Sequence, residues 1–406
     1  MLFRDWTKQL IIEELKKKLS VESIVESIRK ASLDGKVAFY PCGKYTRQIL
    51  KEIRKRDPAL LDKVVGCFDK SSQAMSEPGT DVYHLGKLDD FAEEISLLVI
   101  ASSTYYSRQE RDILENTSYS GSVLKTSFFD YSMPKGSPEI LLSEIKRISG
   151  MLYDAKSRMV YIISWLSRVL NDEDITSLFE SENEIYEICD DTIDYKGYTI
   201  RGIADDELKK ELFADVYKMR HVAISKGDVV LDIGAFRGET AIVFADSVGK
   251  TGRVYAFEPI KASYEIMERN IRDNGLNGII EPVNLGCSSR IQTTAAVSSE
   301  GGAPWTFISD DDGSTPVELT TVDEFVSSNT IEKVDFIKMD VEGFENDVLL
   351  GAKKVLQTHR PKLAIALYHN SSDMVTIPDL ITEMVDYRMF VRCNMDGPYG
   401  LTLFCI

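Results

Sequence analysis

At 406 residues the chain is longer than one ordinary hydrophobic core, so two or three domains are expected. Its 43% hydrophobic and 28% charged residues are ordinary for a globular protein. The formal net charge of −17 argues against nucleic acid or an anionic membrane as the main partner, because phosphate contacts need clustered Lys and Arg.

The six cysteines, Cys42, Cys67, Cys189, Cys287, Cys393 and Cys405, are scattered without a C-x-x-C pair. That fits a reducing compartment and no zinc site. No apolar run approaches the roughly 18 to 20 residues needed to span a bilayer. The opening MLFRDWTKQLIIEELKKK is too charged for a secretory signal, and a cytoplasmic location is expected.

In chain order, residues 3 to 31 read as helical. Leu10, Ile11, Leu15 and Leu19, then Ile24, Val25 and Ile28, recur near helical spacing, and Ser20 is placed to cap a second helix. Such an amphipathic pair covers a neighbouring domain or another copy of the chain, so a homo-oligomer stays open. Lys36 to Tyr40 then reads as a strand running through Pro41-Cys42-Gly43-Lys44 into a helix, Tyr45 to Lys55. Strands follow at Val64–Phe68, Gly79–Tyr83 and Leu97–Ala101. This alternation implies a small, parallel, Rossmann-like α/β domain over residues 32–132, after the helices of residues 1–31. Its single glycine is a weak dinucleotide signature, although Asp69 stands where a ribose-binding acid would. If the domain binds a ligand, Ser102, Ser103 and Tyr105 line its crevice. If it is a structural relic, they are an ordinary polar loop.

Residues 133–195 read as a helical linker. A break at Met133–Pro138 leads into one long helix, Glu139 to about Val169, striped by Met151, Leu152, Ala155, Met159, Ile162, Ile163 and Leu166. Tyr195 to Ile200 reads as a hairpin-like turn. Asp215 to Ala223 reads as a helix that brings Tyr217, Arg220 and His221 to the start of the next strand.

That strand opens the most informative stretch, VVLDIGAFRGET, Val229 to Thr240. An apolar run broken only by Asp232 passes through Gly234-Ala235-Phe236-Arg237-Gly238 into a helix. Glycine lets backbone approach a ligand, and a helix N-terminus presents unpaired N–H groups. About twenty residues on, the strand Arg253–Phe257 ends in Glu258-Pro259, where a carboxylate can accept from two ribose hydroxyls. The unit therefore has the form of a nucleoside-cofactor site. NAD sites use three glycines in G-x-G-x-x-G, whereas only Gly234 and Gly238 occur here. Asp232 beside the turn suits a ligand carrying an ammonium better than a diphosphate, which it would repel. S-adenosylmethionine has that ammonium and no phosphate. The plainest alternative is a turn that packs and binds nothing.

Further along, the strand Ile279–Asn284 leads to Asn284-Leu285-Gly286, where an adenine would be gripped. A β-rich insertion follows, around Ala295–Val297, Trp305–Ile308 and Pro316–Thr320, and Thr321 caps the helix after it. The strand Asp335–Asp340 ends in Asp340-Val341-Glu342-Gly343-Phe344-Glu345. Two carboxylates at a strand end beside a crevice are expensive to bury unless they are used, although Glu342 or Glu345 could simply complement a helix N-terminus. Lys362–His369 reads as a fifth strand, which directs His369, the default base near neutral pH, into the same crevice. Asp340 is also an oxygen ligand suited to a divalent cation, but the metal-free version is the expectation.

As a set, Asp232-Ile-Gly-Ala235, Phe257-Glu-Pro259, Thr321–Phe325, Lys338-Met-Asp-Val-Glu-Gly343 and the late strand ending in His369 resemble FkbM-type methyltransferases over residues 196–406. The resemblance implies a class I methyltransferase fold, a seven-stranded doubly wound α/β sheet with one antiparallel strand near its end. It also implies S-adenosylmethionine as cofactor and a hydroxyl of a sugar, glycan or related small natural product as acceptor. On that reading the cofactor lies across Gly234, Ala235, Phe236 and Gly238. Asp232 holds its methionine end, Glu258 beside Pro259 its ribose, and Asn284 and Leu285 lie near the adenine. Asp340, Glu342 and His369 face the acceptor. The chain departs from the family at Ala366-Leu367-Tyr368-His369, which lacks the commoner acidic residue two before the histidine. The first α/β domain resembles small Rossmann-like domains attached to sugar-modifying enzymes. Two other readings stand beside this one. One is an NAD-dependent nucleotide-sugar enzyme with its cofactor in the first domain, and the other a non-catalytic scaffold that keeps a vestigial cofactor fold.

Overall fold

The computed structural model describes residues 21–42, 44–69, 80–101, 113, 117–126, 138–170, 192–202, 217, 219, 222–298, 306–308, 315–370, 372–393 and 400–406. The expectations for residues 3–20, Gly43, Ser102, Ser103, Tyr105, Arg220 and His221 fall outside these residues, as does Trp305. The chain divides into two compact units, Met1–Ser143 with Leu166–Asp172, and Glu144–Trp165 with Glu173–Ile406. Among the described residues no helix is long and apolar enough to cross a membrane.

The first unit is built on a five-stranded, all-parallel sheet. Helix α1 (Val21–Ala31) precedes β1 (Lys36–Tyr40), and α2 (Lys44–Arg56) connects to β2 (Val64–Asp69). Then come β3 (Val82–His84), β4 (Ile95–Ala101) and β5 (Val123–Thr126), in the spatial order β3-β2-β1-β4-β5. A strand places alternate side chains on opposite faces, and a parallel sheet is covered on both. Accordingly Val37 and Phe39 pack with Ile28, Ile49 and Ile53, while Ala38 and Tyr40 pack with Phe68, Leu88 and Leu98. At the end of β2, Asp69 Oδ2 accepts the backbone N–H of Cys42 at 2.8 Å.

In the second unit, residues 144–165 come from two helices, α3 (Pro138–Met151) and α4 (Ala155–Leu170), where the sequence suggested one. The break between them has a physical cause. Asp154 accepts the N–H of Ser157 at 2.6 Å, as an N-cap does, and Arg392 Nη2 holds the other carboxylate oxygen at 2.7 Å. Tyr153 N donates to Met389 O at 2.8 Å, so the break lies against the strand that begins at Met389. Further on, Tyr161 OH donates to Met374 O at 2.9 Å.

After the hairpin β6 (Thr192–Tyr195) and β7 (Tyr198–Arg201), the strands are β8 (Val229–Ile233), β9 (Arg253–Phe257), β10 (Ile280–Val283), β11 (Gly286–Cys287), β12 (Gln292–Ser298), β13 (Thr306–Ile308), β14 (Thr315–Thr320), β15 (Phe336–Met339), β16 (Lys362–Ala366), β17 (Met389–Cys393) and β18 (Leu401–Cys405). Seven of them form one sheet in the order β10-β9-β8-β15-β16-β18-β17. β18 runs antiparallel to both of its neighbours, and the other pairings are parallel. This is the α/β, doubly wound sheet expected from the sequence. β11 to β14 make a separate four-stranded sheet, the expected insertion. Helices α5 (Glu239–Val248) and α6 (Lys261–Asp273) join the first three sheet strands. Helices α7 (Val322–Ser328), α8 (Glu345–Gly351), α9 (Lys353–His359) and α10 (Asp373–Met384) follow. The Thr321 hydroxyl accepts the N–H of Glu324 and caps α7. The core joins β8, β9 and β15 to α5 and α6 through Val230, Ala256, Phe336, Phe244 and Met267. In an open sheet of this kind, ligands bind beyond the carboxyl ends of the strands where the order reverses, here between β8 and β15.

Candidate functional site

The β8–α5 turn is fixed by its neighbours before any ligand is considered. The N–H groups of Gly234 and Ala235 both donate to Phe257 O, at 3.1 and 2.9 Å. Gly234 has φ +80, and a Cβ there would stand 1.8 Å from Asp340 O, so no other residue fits where β15 leaves the sheet. Phe236 also has positive φ, 48°, and the Arg237 guanidinium lies 4.7 Å from its ring centre. Such a backbone is uncommon for a bulky residue and marks a constrained turn.

Beneath the turn lies a buried ion pair. Lys338, 1% exposed, donates to Gly234 O at 2.5 Å and pairs with Asp232 Oδ1 at 3.2 Å. Thr240 Oγ1 donates to Asp232 Oδ2 at 2.7 Å. Asp232, expected to meet a ligand's ammonium, thus faces Lys338 and Thr240 and is fully buried. Burial works against the Lys338 charge, but Asp232 and Asp340 outweigh it and hold the ammonium above its ordinary pKa.

At the β9 end, Glu258 is 6% exposed and accepts the N–H of Ile260 at 2.8 Å. Burial pushes its carboxyl up to about 8, with the backbone hydrogen bond to Ile260 opposing and the nearby Glu239 assisting. Glu239, at the start of α5, accepts the N–H of Arg237 at 3.2 Å and is pushed up to about 7, again by burial first. Asn284 Nδ2 donates to Glu258 O at 2.8 Å and Pro259 O at 3.2 Å. Its amide therefore ties the β9 and β10 ends together, with Leu285 half-buried next to it.

Beyond β15 and β16 the predicted acceptor residues do converge. Asp340 Oδ2 accepts from Tyr217 OH at 2.6 Å and Oδ1 from Tyr368 OH at 3.1 Å. His369 Nε2 lies 3.3 Å from Asp340 Oδ1 and 3.5 Å from Glu342 Oε2. Its Nδ1 is 2.9 Å from Glu345 Oε1, which also accepts the N–H of Val341 at 2.9 Å. Glu342 has positive φ, 54°. Burial opposes the imidazolium, but Glu345 and Glu342 override it and push His369 up to about 10. Burial lifts Glu342 to about 8 even against His369. Asp340 is held below its usual value because Lys338 and His369, with the two tyrosine hydroxyls, outweigh its burial. Three carboxylates thus surround the imidazole and favour its protonated form.

Sequence reasoning missed Lys338, Tyr217, Tyr368 and Glu239 as parts of the site. A lysine inside an apolar strand, Phe336-Ile337-Lys338-Met339, was the available signal, since a charge there must be buried with a partner. Glu345, at the first position of α8, accepts the Val341 N–H of the preceding turn and lies against His369 Nδ1.

Three comparisons bear on this arrangement. Residues 232–392 match the family model described as the Methyltransferase FkbM domain. The hexuronic acid methyltransferase AglP of Haloferax volcanii is 27% identical over 185 residues, covering 46% of this chain and 74% of that protein. The solved structure of a methyltransferase FkbM from Methylobacillus flagellatus superposes with a TM-score of 0.53 at 15% identity. It covers 95% of this chain and 100% of that one, which establishes the likeness of fold. Residues 232–392 are thus similar to the FkbM methyltransferase domain, and the chain is a methyltransferase.

Proposed function

We propose that the second unit transfers a methyl group from S-adenosylmethionine to a hydroxyl of a sugar or glycan. The observation that carries the donor assignment is the charge around the turn. Asp232, Glu239 and Glu258 are all buried there, against one buried cation, Lys338. A diphosphate would keep Glu239 and Glu258 in their protonated forms, whereas the positive charges of a sulfonium nucleoside favour their ionisation and meet them as carboxylates. When bound, the donor supplies an electrophilic methyl on a positively charged sulfur. Glu258 would hold the ribose hydroxyls, and the backbone of Gly234 to Gly238 would carry the methionine end. Asp232 supports that end from beneath, because with Lys338 it fixes the Gly234 carbonyl.

On the acceptor side, Asp340 is the side chain kept ready to accept a hydrogen bond. Its hydroxyl donors, Tyr217 and Tyr368, and Lys338 favour the ionised form. An acceptor hydroxyl placed against Asp340 and Glu342 passes its proton toward carboxylate oxygen as the O–CH3 bond forms and the S–CH3 bond breaks. Much of the acceleration comes from holding oxygen in line with the methyl. The sugar class of the acceptor rests on the hexuronic acid methyltransferase relative. The test is transfer of labelled methyl to a panel of uronic-acid and neutral glycosides, with RNA and protein as comparators. Label on a glycoside hydroxyl supports the reading, and label on RNA or protein alone would sink it.

A further inference from the structure

We propose that His369 Nε2, Asp340 and Glu342 form a divalent-cation site on the acceptor side of the crevice, with Glu345 holding the imidazole from behind. The first observation is an orphaned atom. The His369 side chain is 8% exposed, and its Nε2 is buried without a hydrogen-bond partner, as is Glu345 Oε2. The oxygens nearest Nε2, at 3.3 and 3.5 Å, are too far for a charge-assisted hydrogen bond, which runs at about 2.7 to 2.9 Å. They are close to the separation of neighbouring ligands that each lie about 2.1 Å from one ion.

The second observation is how the ring is held. Nδ1 is fixed on Glu345 Oε1, and Glu345 is fixed in turn by the Val341 N–H. A carboxylate behind the far nitrogen is the usual support of a metal-bound histidine. One ligand atom each from Asp340, Glu345 and His369 lies within 4.8 Å of the others. The hydroxyls of Tyr217 and Tyr368 orient Asp340 in the same supporting manner. Glu342 is held beside Nε2 by a left-handed backbone that a glutamate rarely adopts, and such strain persists where the surroundings impose it.

The third observation is charge. Three carboxylates face one imidazole, and the neighbouring ammonium of Lys338 is already engaged by Asp232 and Gly234. One nitrogen with carboxylate oxygens suits Mn2+, Fe2+ or Zn2+ better than Ca2+, which prefers oxygen alone. An ion there would polarise the acceptor's hydroxyl oxygen. That consequence rests on the methyltransferase reading above, whereas the binding itself does not.

The test is a Mn2+ titration of the full-length, chelator-stripped protein, followed by loss of the free-ion electron paramagnetic resonance signal. One Mn2+ per chain is expected, with Kd below about 100 μM. Glu342→Gln and Asp340→Asn should each weaken binding about tenfold or more. His369→Ala leaves carboxylates facing one another and risks unfolding the site. Glu342→Gln, on the more exposed rim, is therefore the decisive variant, and Mn2+ should raise the Tm of the wild type but not of this variant. Absence of Mn2+ binding, or binding that both variants retain, overturns the site. S-adenosylmethionine calorimetry on the stripped protein separates the two claims. Donor binding without Mn2+ binding removes the cation site alone. Mn2+ binding without donor binding leaves the site standing and removes the methyltransferase mechanism.

Discussion

Lys338 stands where two parts of the site meet. It fixes the carbonyl of Gly234 in the β8–α5 turn and lends its charge to Asp340 at the end of β15. Removing one partner of a buried pair leaves the other charged and unpaired. Lys338→Met should therefore lower stability by about 3 to 5 kcal/mol. A thermal melt within a degree of the wild type would refute this. Glu258 allows a pH test. Its carboxyl is pushed up to about 8, yet only the ionised form accepts from two ribose hydroxyls. Donor affinity should then rise from pH 6 to pH 8.5, and calorimetry in buffers of different ionisation enthalpy should record proton release on binding. A flat pH profile would contradict the ribose role. Glu258 and the glycine turn were legible because their spacing follows from a strand–turn–helix unit. Lys338 was not, because nothing in the strand pattern says that its ammonium turns under Gly234. The second reason for Gly234, the Asp340 carbonyl beside it, depends on two strands about a hundred residues apart and needs the fold.

At the scale of elements, the sheet strands β8, β9, β10, β15 and β16 of the second unit were readable because each is a short apolar run bounded by turn residues. The errors lie where local signals conflict with packing. β5, Val-Leu-Lys-Thr at Val123–Thr126, was missed because a four-residue edge strand with Val123 exposed has no periodicity to detect. The break between α3 and α4 was missed because the apolar stripe runs on across it, although Gly150 stands in the last turn of α3. Asp154 three residues before Ser157 was a usable capping signal. Asp154 is held ionised well below the usual carboxylate range, chiefly by Arg392. Its depressed pKa adds stability that is present above the unfolded value near 4 and lost as the pH falls further. Side-chain exposures of 15% and 33% screen the Arg392 pair, so Asp154→Asn should cost about 1 kcal/mol, mostly as a cap. A double-mutant cycle with Arg392→Met measures the pair itself, and a coupling near zero would show that the cap alone matters.

For the whole molecule, buried carboxyls set the direction of pH dependence. Glu239 and Glu258 sit at about 7 and 8, above their unfolded value of 4.5, so the folded state binds more protons than the unfolded state between those limits. Stability should accordingly fall as the pH rises from about 5 to 8. Saturating donor should oppose that fall, because a sulfonium nucleoside favours the ionised acids. A Tm that climbs over this range without donor would show that the two acids are not protonated as described. The donor claim is the one on which the rest depends, and calorimetric titration of the full-length protein with S-adenosylmethionine and, separately, with NAD tests it most directly. The expected result is saturable 1:1 binding of S-adenosylmethionine, weakened about ten- to hundredfold by Glu258→Ala, with no heat from NAD. Binding of NAD in preference, or donor affinity indifferent to Glu258, would contradict the account.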